Sequence, residues 1–182
     1  MKALTLEQLI EKAPAIATQN ASSDVSDKYS FIPSTKVIED VIELGWTPVN
    51  ATQRSSNSRC SDNSFAQHMV NFRIDNPISV SHSGDIIYPQ ITFVNSHDGK
   101  STFRFYAGLF RLVCSNGLTV PFKLNGEELG KGFRIRHKGY DMDTLSKTFK
   151  DIVRDIKGSM KPIFDLNERM LTQEEKINFA KR

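Results

Sequence analysis

The sequence predicts an α+β fold, in which an antiparallel β-meander is packed by a long C-terminal helix and preceded by short N-terminal helices. Two observations lead to this prediction. Between residues 46 and 138, apolar residues mostly alternate with polar ones, as in half-buried strands. On either side, in residues 37–42 and 145–160, they recur at the spacing of an amphipathic helix. Strands grouped together and flanked by helices are typical of layered α+β domains.

A chain of 182 residues is long enough for one domain with a buried core. We divide it into an N-terminal helix and flexible connector (1–28), an α+β core (29–162) and a helical tail (163–182). Its composition, 38% hydrophobic and 25% charged, is ordinary for a soluble protein. No apolar run approaches the ~18 residues of a membrane span, and charged residues interrupt the N-terminus. We therefore expect a cytoplasmic protein, with no membrane partner and with free thiols at its two cysteines.

The first helix is predicted from Thr5 and Gln8, which form a capping box, and it should stop before Pro14. Residues 15–27 are small and polar, as in a flexible connector. Ser34 or Thr35 then caps a second helix. Its apolar face comprises Val37, Ile38, Val41 and Ile42, and Gly45 is placed to end it.

Five strands follow. We place them at residues 46–53, 66–74, 86–95, 101–114 and 132–138. The polar run 54–64 is predicted as a long loop, and Gly108 as a bulge or bend. Asn95, Asp98 and Gly99 supply turn residues for one hairpin, and Asn116-Gly117 for another.

The long helix begins at Asp141 or Asp143 and ends at Gly158 and Pro162. Its apolar stripe consists of Leu145, Phe149, Ile152, Val153, Ile156 and Met160. Thr172 and Glu175 form the capping box of a terminal helix.

Catalytic and metal-binding patterns are weak. His97 and Asp98 are sequence neighbours at a predicted loop tip, where exposure explains them better than catalysis. His68 shares a strand face with apolar residues, as expected of a hydrogen-bonded core or edge histidine, and Cys114 is predicted to be a small buried residue. The histidines and cysteines lack zinc-ligand spacing, and no phosphate-binding glycine motif is present. We expect no metal, cofactor or catalytic residue, although folding could still bring His68, His97, Asp98 or Cys114 together.

Charge is distributed unevenly along the chain. Residues 1–99 hold 7 Lys and Arg against 11 Asp and Glu, whereas residues 100–162 hold 13 against 6, within a net charge of +3. The last strand alternates Phe133, Ile135 and His137 with Arg134, Arg136 and Lys138, so one of its faces would carry three cations. Such a row can follow a phosphate backbone, or it can simply protect a sheet edge from aggregation. The sequence leaves both interpretations open.

The predicted nucleic-acid-binding residues combine these cations with an aromatic side chain that could stack on a base. They are Lys100, Arg104, Tyr106, Arg111, Lys131, Arg134, Arg136 and Lys138, with Arg54 and Arg59 of the long loop as secondary candidates.

Several segments resemble a known family. YSFIPSTKVIEDVIELGWTPVNATQ, FAQHMVNFRI and NSHDGKSTFRFYAGLFRLVCSNGL are similar to the phage/plasmid-like family that carries the domain of unknown function numbered nine hundred and thirty-two. The GWTPV, HMVNFR, NSHDG and RLVCSNGL blocks are its most specific parts, and the resemblance runs from about Tyr29 to Val120. It implies a protein of a mobile element, and members often extend beyond this length. It implies no catalytic residues.

Two functions follow as hypotheses. The first is a non-enzymatic protein that binds nucleic acid, preferably single-stranded DNA, in a layout similar to that of single-strand annealing proteins at the level of fold only. The alternative is a counter-defence protein that binds and inhibits a host immune protein. An enzyme is the least favoured reading. The amphipathic stripe of the long helix leaves a homo-oligomer open.

Overall fold

A computed structural model describes residues 2–55, 62–74, 79–80, 86–111 and 172–180, with 122–124, 127–129, 133–135, 137, 143 and 147. The helices are α1 (Leu6–Lys12), α2 (Ser34–Glu43) and α3 (Gln173–Ala180), with 3-10 helices at Pro14–Ala17 and Asn63–Phe65. The strands are β1 (Thr47–Gln53), β2 (His68–Arg73), β3 (Ser79–Val80), β4 (Ile86–Asn95), β5 (Phe103–Arg111), β6 (Phe122–Leu124), β7 (Glu127–Leu129) and β8 (Phe133–Ile135).

The main sheet confirms the α+β class and the antiparallel meander. Its strand order is β1-β2-β4-β5-β8, and β3 pairs with β4. The long helix predicted at 143–161 and the hairpin predicted at Asn116-Gly117 lie almost wholly outside the described residues. Within the part of the chain that is described, no helix is long and apolar enough to cross a membrane.

One face of the sheet forms the core, because alternate residues along a strand point to the same side. Phe72, Phe93, Phe103 and Phe105 are fully buried there, and Phe93 stacks between Phe72 and Phe103 with ring centroids 6.1 Å from each. The N-terminal helices cover this face. These helices, together with Trp46 just before β1, contribute to the same core Leu9, Ile16, Val37, Ile38, Val41 and Trp46.

The observed helix ends can be compared with the capping and stop residues predicted from the sequence. The Thr5–Gln8 capping box is present at α1, and Thr172 and Glu175 bond reciprocally at α3. Gly45 follows α2 with a φ of 86°, as a C-terminal stop requires. Ser34 is not the cap of α2, however. It is the first helical residue, after Pro33, and its hydroxyl bonds to buried side chains instead.

Two further predictions need correction. The segment predicted to be a flexible connector from residue 15 begins with a 3-10 helix, in which Ala15 and Ile16 are fully buried. The pairing of β4 with β5 also runs without a register shift past Gly108, so there is no bulge at that position. The irregularity lies in β1 instead, between Pro48 and Asn50.

Candidate functional site

The β5–β8 basic face is the side of the sheet opposite the core, where Arg104 and Tyr106 of β5 lie. Their neighbours Phe103 and Phe105 are buried in the core, whereas Arg104 is half-buried and Tyr106 is 40% exposed. The strand register makes Arg104 the direct partner of Arg134 in β8. Arg104 and Arg134 are therefore opposite each other in the register of these two antiparallel strands.

Ser101 links this face to the preceding loop. Its hydroxyl accepts hydrogen bonds from Nη2 of Arg104 at 3.4 Å and from Nε2 of Gln67 at 2.8 Å. The backbone N–H of Arg54 donates to the carbonyl of Gln67 at 2.8 Å. The fold therefore brings Arg54, a secondary candidate, to the same end of the sheet as Arg104.

A further arginine on this side of the sheet is already hydrogen-bonded within the protein. Arg73 is buried, donating through Nε and Nη2 to Oε1 of Gln90 at 3.1 Å each, and it lies 5.9 Å from the ring centroid of Tyr88. Burial lowers the pKa of its guanidinium. Nε2 of Gln90 donates a hydrogen bond to the Thr92 hydroxyl, which in turn donates to Oδ1 of Asn71. Arg73 therefore serves as a structural cation.

A cavity of about 390 Å³, here called the lysine cavity, opens beside the β4–β5 loop. It is lined by Ser26, Lys28 and Tyr29 from one segment, by residues 99–102 from the loop, and by His137. Both Lys28 and Lys100 are exposed. Two cations and several hydroxyl groups thus face one space of a size typical for small ligands.

One wall of the lysine cavity is the segment 18–30, which is anchored on the loop at several points. The backbone N–H of Ser22 donates to the carbonyl of His97 at 2.9 Å, and the hydroxyl of Tyr29 donates to the carbonyl of Ser96 at 3.0 Å. The Tyr29 ring stacks on His137 at 4.7 Å. Burial and the nearby Asp98 carboxylate both raise the pKa of the Tyr29 hydroxyl, so it stays protonated and can donate.

His137 closes the inner side of the cavity. It is 8% exposed, and its Nδ1 lies 3.2 Å from the carbonyl of Ser30. Its Nε2 is buried and has no hydrogen-bond partner within the described part of the chain. Burial lowers the pKa of the imidazole, while the Ser30 carbonyl and Asp98 act in the opposite direction.

The histidine cluster lies on the core face and consists of Ser34, His68, Asn95 and His97, all buried. The Ser34 hydroxyl is 2.7 Å from Nε2 of His68 and accepts from Nδ2 of Asn95 at 2.9 Å. The rings of His68 and His97 are 5.2 Å apart. The predicted exposure of His97 at a loop tip is therefore wrong, whereas the prediction of a hydrogen-bonded core histidine at His68 is confirmed.

Protonation in this cluster follows from its geometry. Burial lowers the pKa of His68 to about 4 and that of His97 to about 3, with the neighbouring His68 adding to the effect on His97. Neutral His68 donates from Nδ1 to the carbonyl of Ala66 at 3.0 Å. Its Nε2 is then free to accept the Ser34 proton.

The arrangement of a serine, a histidine and an orienting acceptor is also that of an activated nucleophile. Ser34 is 0% and His68 1% exposed, however, so a substrate could not reach the hydroxyl in this conformation. The cluster acts as a buried polar network that joins α2 to β2 and β4. Among the described residues, no group of three or more histidine, cysteine, aspartate or glutamate side chains could hold a metal ion.

The structure describes some of the predicted nucleic-acid-binding residues and not others. Lys100, Arg104, Tyr106 and Arg54 are described and lie around the β4–β5 loop and the adjoining ends of the strands, and Arg134 joins them through its register. Arg111 is the last residue of β5, where its backbone pairs with Ile87 of β4. Arg59, Lys131, Arg136 and Lys138, together with Cys60 and Cys114, lie outside the described residues.

Some members of these sites had no visible signal in the sequence. Lys28 is a single cation in a polar stretch, and Ser34 looked like a helix cap. The pairing of β6 with β7 was also missed. Its signal was present, because the residues between the two strands are Asn125-Gly126, a strong hairpin sequence.

Comparison with known proteins gives a family without an assigned activity. The model of a domain of unknown function (DUF932) matches residues 21–182. The chain is 31% identical over 139 residues to UPF0380 protein YafZ, and 31% identical over 137 residues to UPF0380 protein YfjQ, both of Escherichia coli K12. Each match covers 75% of this chain and 45% of the relative, so the chain spans about half the length of these proteins. No solved structure is significantly similar.

Proposed function

This chain belongs to the DUF932 family, and from that premise we propose that it is a phage- or plasmid-encoded protein that binds nucleic acid, preferably single-stranded DNA. The binding surface is the β5–β8 basic face with the adjoining β4–β5 loop. The family has no assigned activity, so family membership does not favour a particular function. The argument therefore depends on the side chains and on the strand register.

The observation that carries the proposal is the direct pairing of Arg104 with Arg134. Like charges placed opposite each other on a sheet destabilise it. An anion bound between them removes that cost.

Tyr106 adds the second element of a single-strand site. It lies two residues beyond Arg104 in β5, hence on the same face, and is 40% exposed. An exposed ring beside a phosphate-binding cation can stack on an unpaired base. Duplex DNA, whose bases are already stacked, offers no such contact. This supports the preference for single strands.

Fluorescence anisotropy with labelled single- and double-stranded oligonucleotides over a salt series tests the proposal. We expect single strands to bind more tightly, with an affinity that falls linearly on a log–log salt plot. The double reversal Arg104→Glu with Arg134→Glu should reduce the slope by about 1.4, since each phosphate contact on a single strand contributes about 0.7. Lys12→Glu on α1, which contacts β1 at the opposite edge of the sheet from β8, is the control and should bind normally.

Failure of both oligonucleotides to bind at low salt would refute the proposal. The counter-defence hypothesis would then take its place, and a host protein retained from nuclease-treated lysate would support it. The thermal midpoint of each variant shows that a loss of binding does not come from unfolding.

A further inference from the structure

We infer that Asn71 selects among bases at the single-strand site, favouring a base that presents a keto oxygen over one that presents an amino group. The inference deepens the proposed function and rests on it, because it names the bases that the surface beside Tyr106 prefers. It is argued from a hydrogen-bonded row of side chains on the face of the sheet opposite the core.

The row crosses three neighbouring strands. Asn71 of β2 pairs in register with Thr92 of β4, and Thr92 pairs with Tyr106 of β5. Each of these residues has a phenylalanine next to it in the chain that is fully buried in the core, so the row itself lies on the opposite face. Tyr106 is exposed, Thr92 is buried and Asn71 is half-buried. The phenol ring and the amide therefore stand on either side of a buried hydroxyl.

The directions of the hydrogen bonds that lead to Asn71 follow from a guanidinium, which can only donate. Nε and Nη2 of Arg73 both donate to Oε1 of Gln90, at 3.1 Å each. The other end of the Gln90 amide, Nε2, donates to Oγ1 of Thr92 at 3.3 Å. The single proton of the Thr92 hydroxyl then goes to Oδ1 of Asn71, at 2.8 Å. Because Oδ1 faces Thr92, the Nδ2 group of Asn71 is directed away from it and offers only N–H donors.

A group that only donates distinguishes bases by the substituent that it meets. Thymine O4 and guanine O6 are acceptors, whereas the amino groups N4 of cytosine and N6 of adenine are donors. Adjacent strands are about 4.8 Å apart, so a base that stacks on Tyr106 and extends over Thr92 brings its edge to the Asn71 amide. A keto oxygen at that edge accepts a hydrogen bond. An amino group would place donor against donor and leave both without an acceptor.

The amide of Asn71 is oriented before a base arrives. Gln90 is 1% and Thr92 9% exposed, so the bonds that orient the amide are shielded from water. Turning the amide over would place Nδ2 against the Thr92 proton and break the last of these bonds. A preorganised donor loses less entropy on binding. Asn71 is thus the residue that touches the base, and Thr92 is a positioning residue.

Fluorescence anisotropy of the full chain with labelled oligodeoxyuridine and oligodeoxycytidine of equal length tests the inference. The two bases share one ring and differ along the edge that carries a keto oxygen in uracil and an amino group in cytosine. We expect oligodeoxyuridine to bind about fivefold more tightly, which corresponds to one net hydrogen bond. Asn71→Leu should abolish this preference. Asn71→Asp, which replaces the donor by an acceptor, should reverse it. The ratio of the two affinities is compared, because the added negative charge weakens the binding of both strands.

Thr92→Val tests the positioning role, since it keeps the shape of the side chain but removes the proton that holds Oδ1 of Asn71. It should weaken the preference for uracil while leaving the binding of oligodeoxycytidine nearly unchanged. Asn20→Leu and Asn20→Asp are the matched controls, because Asn20 is exposed and lies outside the sheet. Both should keep the natural ratio. The thermal midpoint of each variant shows that it is folded.

Equal binding of the two oligonucleotides by the natural protein, or a preference for uracil that persists in either Asn71 variant, overturns the inference. The proposed function survives these results, because binding that depends on Arg104 and Arg134 is still observed. Absence of binding to either strand at low salt refutes the proposed function and the inference together. The two kinds of failure are therefore distinguishable.

Discussion

Acidification should destabilise this protein through His68, whose environment favours the neutral imidazole. Its pKa in the folded state is about 4, against 6.5 for an ordinary histidine. Between these two values the unfolded chain binds a proton that the folded chain does not. Stability is therefore complete above about pH 6.5 and falls as the pH decreases toward 4. The structural reason is that a proton on Nε2 removes the acceptor for the Ser34 hydroxyl.

The size of the effect follows from the difference between the two pKa values. At about 1.4 kcal/mol for each tenfold change in proton affinity, the full contribution of His68 is about 3 kcal/mol. About 2.5 kcal/mol of it should be lost between pH 7 and about pH 4.5. Folded domains are typically stable by about 5–15 kcal/mol, so this loss would be a large part of the total. His97, with its pKa at about 3, acts in the same direction.

Urea unfolding measures this loss, with the fluorescence of Trp46, the single tryptophan and a buried one, as the probe. The natural protein is compared with His68→Gln across the pH range. The variant should be less stable at pH 7, because it disturbs the Ser34 contact, but its stability should depend less on pH. Titrating carboxylates affect both proteins equally, so the difference reports His68 together with its effect on the neighbouring His97. Parallel pH profiles would refute the reasoning, since they would mean that folded His68 takes up its proton as the unfolded chain does.

Further outcomes can be checked by the same unfolding measurement. Gly45→Ala and Gly99→Ala both place a side chain at positive φ, which costs about 1 kcal/mol. The Gly99 variant should lose more, because its Cβ meets Val25 at 3.0 Å whereas nothing lies within 4 Å at Gly45; equal losses would contradict that close contact. Phe93→Ala should cost about 3–5 kcal/mol as a cavity in the aromatic core, whereas Tyr106→Ala, on the exposed face, should change stability by less than about 0.5 kcal/mol. A Tyr106 variant as unstable as the Phe93 variant would place that ring in the core.

Local patterns in the sequence predicted the parts of the fold that local physics determines. The capping box at Thr5 needs only residues one turn apart, and the alternation in β2 and β5 depends on side-chain direction within one strand. These predictions hold. The register of Arg104 with Arg134 could not be read in this way, because it depends on how two distant strands align. The alternation within each strand only predicted that its arginine lies on the face opposite its apolar residues.

Several of the errors share one cause, which is contact between segments far apart in the chain. His97 was predicted to be exposed because it sits between turn residues, but Ser22 bonds to its carbonyl and Phe31 packs on its ring. Ser34 has the composition of a cap, yet buried partners from β2 and β4 take its hydroxyl. Lys28 gains its significance only because the segment 18–30 lies over the loop that carries Lys100. No spacing within one segment encodes such a meeting.

Part of the buried core lies in N-terminal residues that the family model does not cover. The family model begins at residue 21, whereas Leu9, Ala13 and Ile16, all fully buried, lie before it. The match of the family model therefore begins inside the unit that folds, because part of the buried core lies before residue 21. Trimming this chain to residues 21–182 for expression should give an aggregation-prone product, so the boundaries of homology are a poor guide to where this protein can be cut.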